Sequence, residues 1–162
     1  MTNRPGMISR GASIGAAALL LTLVALAGCG SDRGSESATY PDVGMRITLP
    51  PEWSRDRFGL HSQRGQRDDH HGMVYAVPLE ADTLDAHLAA MPDAEHGLRS
   101  RQRIEVDGHE AIERITDAAY SLYEVYILRG DEVVVVSFRT LPEAFDDQLA
   151  AFRAAAGSIR FD

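Results

Sequence analysis

Residues 122–138, LYEVYILRGDEVVVVSF, contain two apolar segments separated by a short polar one. Residues 122–128 and 133–138 are rich in Val, Ile and aromatic side chains, which favour strands. Gly130-Asp131 between them suits a tight turn, so the sequence predicts a β-hairpin here. Residues 133–136 are four valines in a row. Because they put apolar side chains on both faces of the second strand, we expect that strand to be central and covered on both sides.

Further strands are predicted on the N-terminal side of this hairpin. Residues 101–106 and 110–115 flank Asp107-Gly108, a dipeptide that tolerates the positive φ angles of a tight turn. Residues 43–49 alternate apolar and polar side chains, the pattern of a strand with one buried face, and Pro50 and Pro51 stop it. Shorter strands are predicted near 58–62 and over 72–79, where Pro78 marks an end or an edge.

Two helices complete the predicted elements. Asp82-Thr83 caps a helix through Met91 that has Leu84 and Leu88 on one face. Thr140 and Glu143 have the spacing of a capping box for a second helix, which Gly157 ends. Its apolar stripe comprises Phe145, Leu149, Phe152 and Ala156. Strands paired in hairpins with segregated helices predict an α+β fold, an antiparallel sheet flanked by helices.

Charge and composition exclude several functions. The chain has 162 residues with 24 acidic and 16 basic side chains, and every basic one is Arg. The absence of Lys excludes Schiff-base chemistry, a Walker-type phosphate site and a Ser-Lys nucleophile pair. The net charge of −8 argues against nucleic acid as a partner, because binding to phosphates needs a basic surface.

The first 28 residues have the composition of an export signal. Arg4 and Arg10 precede an uncharged stretch, residues 11–28, that is dense in Ala, Leu and Val. The stretch ends in Leu26-Ala27-Gly28-Cys29, which resembles the lipobox of bacterial lipoproteins. This resemblance implies cleavage before Cys29 and a covalent lipid on its thiol, with no other cofactor expected.

Two other roles for this segment stay open. Eighteen uncharged residues are near the minimum length that spans a bilayer, so an uncleaved signal anchor is one alternative. Cys29 is the only Cys in the chain, so an internal disulfide is impossible, and a free or intermolecularly bridged thiol is the other alternative. The lipoprotein interpretation predicts a signal peptide over 1–28, a flexible tether over 29–39, and one domain over 40–162.

The domain also resembles two known families. Ile47-Thr48-Leu49-Pro50 followed by Trp53, the turn segment 104–111 (IEVDGHEA), Leu141-Pro142 before Phe145, and the closing SIRF of 158–161 are similar to the PsbP-like and DcrB-like families. The similarity covers about residues 42–161. It implies an α/β/α sandwich around an antiparallel sheet, in families whose members mostly act as binding or assembly factors. No shared catalytic set can be carried over from them.

A polar segment with His and Asp residues is the candidate metal site. Asp69, His70 and His71 follow Asp68, and His61 is close in sequence. Imidazole and carboxylate groups bind zinc, copper or nickel, and His61 would supply a further ligand. Adjacent side chains do not easily converge on one ion, however, so a solvated acidic loop is the favoured interpretation.

Catalytic motifs are absent from the sequence. His109 and Glu110 begin like the zinc motif HExxH, but Glu113 stands where the second His must be. No GxSxG nucleophile elbow and no phosphate-binding glycine loop occur outside the signal segment. His87, on the first helix, is expected to be a partly buried structural residue. We therefore expect no enzymatic activity.

Aromatic side chains are the candidate contacts for a protein partner. Tyr120 and Tyr126 share one face of a predicted strand, and Tyr123 is expected in the core. Tyr offers a large contact area at modest entropic cost. Trp53, after the Pro pair, caps the sheet or marks a pocket mouth. For Trp53 and Tyr126, packing is the favoured alternative to partner contact.

Together these features predict a lipid-anchored, non-catalytic protein of the bacterial cell envelope that binds or assembles another envelope component. A lipoprotein that binds a metal or small ligand through its His and Asp residues is the alternative function. The residue after Cys29 is Gly30, whereas an Asp there resembles the inner-membrane retention signal. This favours the outer membrane if two membranes are present, with the domain facing the periplasm or the exterior.

Overall fold

The computed structural model describes residues 35–56, 59–62, 69–91 and 96–162, with the side chains of residues 61 and 62 left aside. The predicted signal peptide, Cys29 and most of the tether lie outside these ranges. In the described part of the chain, no helix is long and apolar enough to cross a membrane.

Ten strands and two α-helices follow one another in the described chain. The strands are β1 Ser37–Tyr40, β2 Met45–Thr48, β3 Trp53–Asp56, β4 Gly59–Ser62, β5 His71–Pro78, β6 Leu98–Val106, β7 His109–Asp117, β8 Ser121–Arg129, β9 Glu132–Thr140 and β10 Arg160–Phe161. The helices are α1 Leu84–Ala89 and α2 Pro142–Gly157, and a 3₁₀ turn spans Pro41–Val43.

The strands form two antiparallel sheets. The larger has seven strands in the order β3-β4-β5-β9-β8-β7-β6, and the smaller has three in the order β1-β2-β10. β9 therefore lies at the centre of the large sheet, as its four valines predicted. The α+β class, with a mainly antiparallel sheet flanked by helices, is confirmed.

The two faces of the large sheet are covered by different elements. On one face, Val134 and Val136 of β9 belong to a core that includes Phe145 and Phe152 of α2 and residues of the small sheet. On the other face, Val133 and Val135 belong to a second cluster. Its other members are Leu84 and Leu88 of α1, Ile112 of β7 and Tyr126 of β8. Alternate valines of one strand thus contribute to two cores, because successive side chains point to opposite faces.

Both predicted hairpin turns are present. Asp107 and Gly108 have φ angles of 50° and 79°, and Val106 is opposite His109 across this two-residue turn. In the β8–β9 turn, Arg129 is opposite Glu132 and Gly130 has a φ of 65°. Asp107, Gly108 and Gly130 therefore hold the left-handed backbone conformations of the two turns, which Gly adopts without strain and Asp tolerates.

One helix cap is confirmed and the other is wrong. The Thr83 hydroxyl accepts a hydrogen bond from the Ala86 N–H at 3.1 Å, which caps α1 as predicted. Thr140 is instead the last residue of β9, and α2 begins at Pro142 with Leu141 as N-cap and no side-chain cap. Pro142 occupies the first turn, where its fixed φ suits a helix and its missing N–H costs no intrahelical hydrogen bond.

A buried carboxylate ties α2 to the sheet. Glu113 of β7 has 3% of its side chain exposed. It accepts hydrogen bonds from the Arg153 guanidinium, with the shortest distance 2.7 Å, and from the Gln102 amide at 2.7 Å. The neighbouring Tyr123 hydroxyl bonds to it as well, and burial, followed by Glu113, raises the Tyr123 pKa well above its ordinary value.

We predict that Arg153→Ala lowers the free energy of unfolding by about 3 kcal/mol, because it leaves the buried Glu113 carboxylate without its ionic partner. Arg99→Ala is the control, since it breaks an exposed ion pair with Asp146 and should cost about 1 kcal/mol or less. Urea unfolding followed by circular dichroism measures both. Equal effects of the two substitutions would contradict this role of Arg153.

Candidate functional site

The candidate site is a groove beside strand β5. Met73 and Tyr75, on one face of this strand, are the exposed large hydrophobic residues of the described chain, with 47% and 38% of their surface accessible. A hollow of about 390 Å³ next to them is lined by Tyr40, Asp42, Arg55, Asp56, Gly59, Met73, Val74 and Tyr75. A second hollow of about 350 Å³ shares four of these residues and adds Val43 and Ala76. The two form one groove along β5, which we call the β5 groove.

Tyr40 forms the wall of the β5 groove on the side of the small sheet. It is 9% exposed, and its buried hydroxyl has no hydrogen-bond partner among the described residues. Burial raises its pKa to about 12. Arg55 lies 4.3 Å from the centre of the Tyr40 ring and donates a hydrogen bond to the Thr39 carbonyl. The Tyr40 hydroxyl is therefore available for a further hydrogen bond, whereas Arg55 is already held in place.

A third hollow lies beside α1, on the face of the large sheet opposite the small sheet. It has a volume of about 240 Å³ and is lined by Val77, Pro78, Glu80, His87, Ala90 and Met91. His87 is 7% exposed, and its Nδ1 accepts a hydrogen bond from the Glu80 N–H at 3.3 Å. Its Nε2 is buried, and no described residue forms a hydrogen bond with it. The predicted structural role of His87 is consistent with this bond, and the hollow beside it is mainly apolar.

A half-buried ion pair lies on the face that carries Met73 and Tyr75. The Arg114 guanidinium is 3.6 Å from the Glu124 carboxylate, and each side chain is only 13% exposed. Glu124 is opposite Ser137, which in turn is opposite Met73. Burial raises the pKa of Glu124, although Arg114 and a hydrogen bond from the Tyr126 hydroxyl act against the shift. Burial, followed by the Glu124 charge, also raises the pKa of Tyr75.

The predicted metal ligands are only partly brought together. His61 is directly opposite His71 where β4 pairs with β5, a juxtaposition that the sequence did not reveal. His70 is buried, and its Nδ1 has no hydrogen-bond partner in the described part of the chain. Asp69 lies in the preceding turn. Among the described residues, no three His, Cys, Asp or Glu side chains are grouped as a metal site. Asp68 and the side chain of His61 lie outside that description, so metal binding stays a prediction.

The predicted partner contacts are mostly core residues. Trp53 is 3% exposed, meets Phe138 and Phe152 edge-on, and donates a hydrogen bond to Gln148 at 3.1 Å. Tyr126 is 2% exposed and packs under α1. Neither side chain presents a surface to a partner, so the packing alternative holds for both. Tyr120 is half-buried beneath the Arg139 guanidinium, 4.4 Å from its ring centre.

The β5 groove was not predicted from the sequence, although a signal for it was present. Residues 72–78 carry no charged side chain, which is unusual for a strand with an exposed edge. Pro78, which was predicted to mark the end of a strand or an edge strand, is the last residue of β5. The hollow itself is formed by residues of β1, the 3₁₀ turn and β3, whose position against β5 is a matter of tertiary structure.

Comparisons with known proteins identify the fold. No protein-family model matches the sequence, and no curated protein matches it. The chain is similar to the solution structure of cyanobacterial PsbP (CyanoP) from Synechocystis sp. PCC 6803, with a TM-score of 0.57 and 15% identity over 85% of this chain and 99% of that one. It is also similar to the crystal structure of LpqN, described as involved in cell envelope biogenesis of Mycobacterium tuberculosis, with a TM-score of 0.54 and 10% identity over 78% and 89% of the two chains. The domain therefore has a PsbP-like fold, as the sequence motifs implied.

The raised pKa of Glu124 predicts a specific pH dependence. Because the folded state holds this proton more tightly than the unfolded chain, the group contributes most stability below its ordinary pKa of 4.5. That contribution falls as the pH rises from there through the higher folded pKa. We expect Glu124→Gln to remove this fall, so the variant should gain stability relative to the native chain as the pH rises above 4.5.

Urea unfolding at a series of pH values measures the effect. Glu105→Gln, at an exposed position on the same face, is the control and should follow the native chain. A constant difference between Glu124→Gln and the native chain across this range would refute the prediction.

Proposed function

We propose that this protein is a lipid-anchored, non-catalytic component of the bacterial cell envelope that binds another envelope protein or assists its assembly. The observation that carries the binding role is the β5 groove, where Met73 and Tyr75 are exposed beside an unfilled hollow. Large exposed apolar side chains next to a concavity are typical of protein interaction sites. Tyr120 adds a further, partly exposed aromatic contact.

Three observations support the envelope setting. Leu26-Ala27-Gly28-Cys29 has the pattern of a lipidation site, after a cationic and apolar leader. Two or more acyl chains on Cys29 would hold the domain firmly on a membrane. The fold is shared with LpqN, whose description places that protein in cell envelope biogenesis.

The membrane face and the lack of other cofactors are part of the proposal. The domain faces the periplasm or the cell exterior, and Gly30 after Cys29 favours the outer membrane in a cell that has two. The covalent lipid is its only cofactor. No catalytic motif appears in the sequence. The exposed Met73 and Tyr75 side chains beside the β5 groove suit binding.

Intact mass spectrometry of protein purified from native membranes tests the anchor. We expect a chain that begins at Cys29 and carries acyl chains, found in the membrane fraction. Cys29→Ala should abolish the added lipid mass and release the protein from membranes, whereas Ser31→Ala, two residues away, should change neither. An unprocessed chain without lipid would refute the anchor.

The alternative function is metal binding, and one geometric feature favours it. His61 and His71 are opposite each other in adjacent strands, and the Nδ1 of the preceding residue, His70, has no hydrogen-bond partner among the described residues. Equilibrium dialysis against micromolar zinc or copper tests it. Retention of one ion per chain that His71→Ala abolishes and His109→Ala preserves would support the alternative, and no retention would eliminate it.

A further inference from the structure

Strand β5 is paired along its whole length on one side only. All eight of its residues are opposite residues of β9. On the other side, β4 is opposite only His71 and Gly72, because the chain turns into the β3–β4 hairpin there. From Met73 to Pro78, one side of β5 therefore has no neighbouring strand among the described residues, and we call this stretch the open edge.

The register identifies the backbone groups that point to the open edge. The Leu79 N–H donates to the Asp131 carbonyl at 2.8 Å, one position beyond the register of β5 and β9. Hydrogen-bonded positions alternate along an antiparallel pair, so the odd-numbered residues of β5 bond to β9.

Val74 and Ala76 consequently direct both their N–H and C=O groups to the open edge, and Pro78 directs its carbonyl there. Within the described ranges, none of these groups has a hydrogen bond on that side. Five backbone groups spaced at two-residue intervals form a template for one additional strand.

The other edges of the sheet are protected, but the open edge is not. β6, at one end of the sheet, carries Arg99, Arg101, Arg103 and Glu105 along its nine residues. β3, at the other end, is four residues long and carries Arg55 and Asp56. Charges and short length are the usual means of preventing strand addition. Residues 73–77 have neither, and Pro78 removes only the last N–H.

Hollows flank the open edge on both faces of the sheet. On the face of the small sheet, Val74 and Ala76 adjoin Tyr40 and Asp42. On the face of α1, Val77 and Pro78 adjoin Ala90 and Met91. Since side chains of an added strand alternate between the two faces, they would enter these two hollows in turn.

We propose that the open edge binds an extended segment of a partner protein as an eighth strand of the large sheet. The segment has a basic side chain on the face of the small sheet, next to Asp42, and an aliphatic side chain on the face of α1, next to Met91. This proposal rests on the proposed function and specifies how the partner is held. Backbone hydrogen bonds to Val74 and Ala76 provide affinity, and the two hollows provide selectivity.

Charge favours a basic partner segment over a second copy of this chain. The charged residues lining the β5 groove are Asp42, Asp56 and Arg55, two acids to one base. Arg55 is held against Tyr40, and Asp42 is exposed. A second copy would bring the same groove charges and a further net charge of −8, whereas a basic side chain next to Asp42 would be attracted.

The first experiment locates the contact. A photocrosslinking amino acid replaces Tyr75 in the full chain, expressed in its native membranes, and the crosslinked partner segment is identified by mass spectrometry. The same amino acid at Glu105, on β6, is the control. We expect Tyr75 to capture one reproducible segment with alternating side chains and a basic residue, and Glu105 not to capture it.

The second experiment tests strand addition with a synthetic peptide of the captured segment. In the native chain, the Val74 and Ala76 amides should exchange with solvent at least about tenfold faster than those of Met73 and Tyr75, because exposed amides need no opening. The peptide should slow the exchange of Val74 and Ala76. N-methylation of its alternate, edge-facing amides should weaken binding about tenfold, and methylation of the others should not.

Two variants test the edge itself. Ala76→Pro deletes one edge N–H, and we expect peptide binding to weaken about tenfold. Tyr75→Lys places a charge on the edge at an exposed position, so the fold should be retained while binding is lost. Glu105→Lys is the matched control, and thermal unfolding checks that each variant is folded.

The outcomes separate this inference from the proposed function. A partner captured only away from Tyr75, or one that leaves the Val74 and Ala76 amides unprotected, overturns strand addition and leaves the binding function intact. Capture of a second copy of this chain overturns the assigned partner, and slow exchange of both amides in the monomer shows that the edge is already covered. Failure to capture any envelope protein from either position, or by chemical crosslinking of the native chain, overturns both proposals.

Discussion

The structure depends on the burial of β9 from both sides. Four consecutive valines cannot lie in an antiparallel sheet with one wet face, because half of their apolar surface would then remain in water. The chain meets this requirement with two unlike covers. A 16-residue helix and a three-stranded sheet pack on one face, and a six-residue helix packs on the other. The large sheet separates the two cores, and alternate side chains of the central strands contribute to each core.

The unequal covers explain where the candidate site lies. α1 packs on Val133, Val135 and Tyr126 of the central strands, whereas Met73 and Tyr75 of the neighbouring strand β5 are exposed. On the other face, the small sheet approaches β5 but leaves a hollow behind Tyr40. The β3–β4 hairpin is too short to cover the edge of β5. A groove forms where three separate elements each stop short of the same strand.

Local chemistry was readable from the sequence where it acts over a few residues. Asp107-Gly108, Gly130 and Thr83 have roles set by the conformations and hydrogen bonds of their immediate neighbours, and all three were predicted. The capping box predicted at Thr140 was wrong. Thr140 and Pro142 are both helix-start signals, and α2 begins at Pro142. For Trp53 and Tyr126, the sequence left both packing and partner contact open, because an aromatic side chain on a strand does not reveal what covers that face of the sheet.

The sequence by itself determined the α+β class, the two hairpins, the central position of β9 and the PsbP-like character of the domain. The first three follow from periodicity, turn residues and a doubly apolar strand, whereas the PsbP-like character was implied by a resemblance of short sequence motifs. All of these are local properties of the chain. Only the tertiary structure decided that β4 pairs with β5 at two residues, and that Glu113 meets Arg153 across 40 positions. The open edge and the hollows beside it depend on where separate elements end relative to one another, and no local pattern encodes that distance.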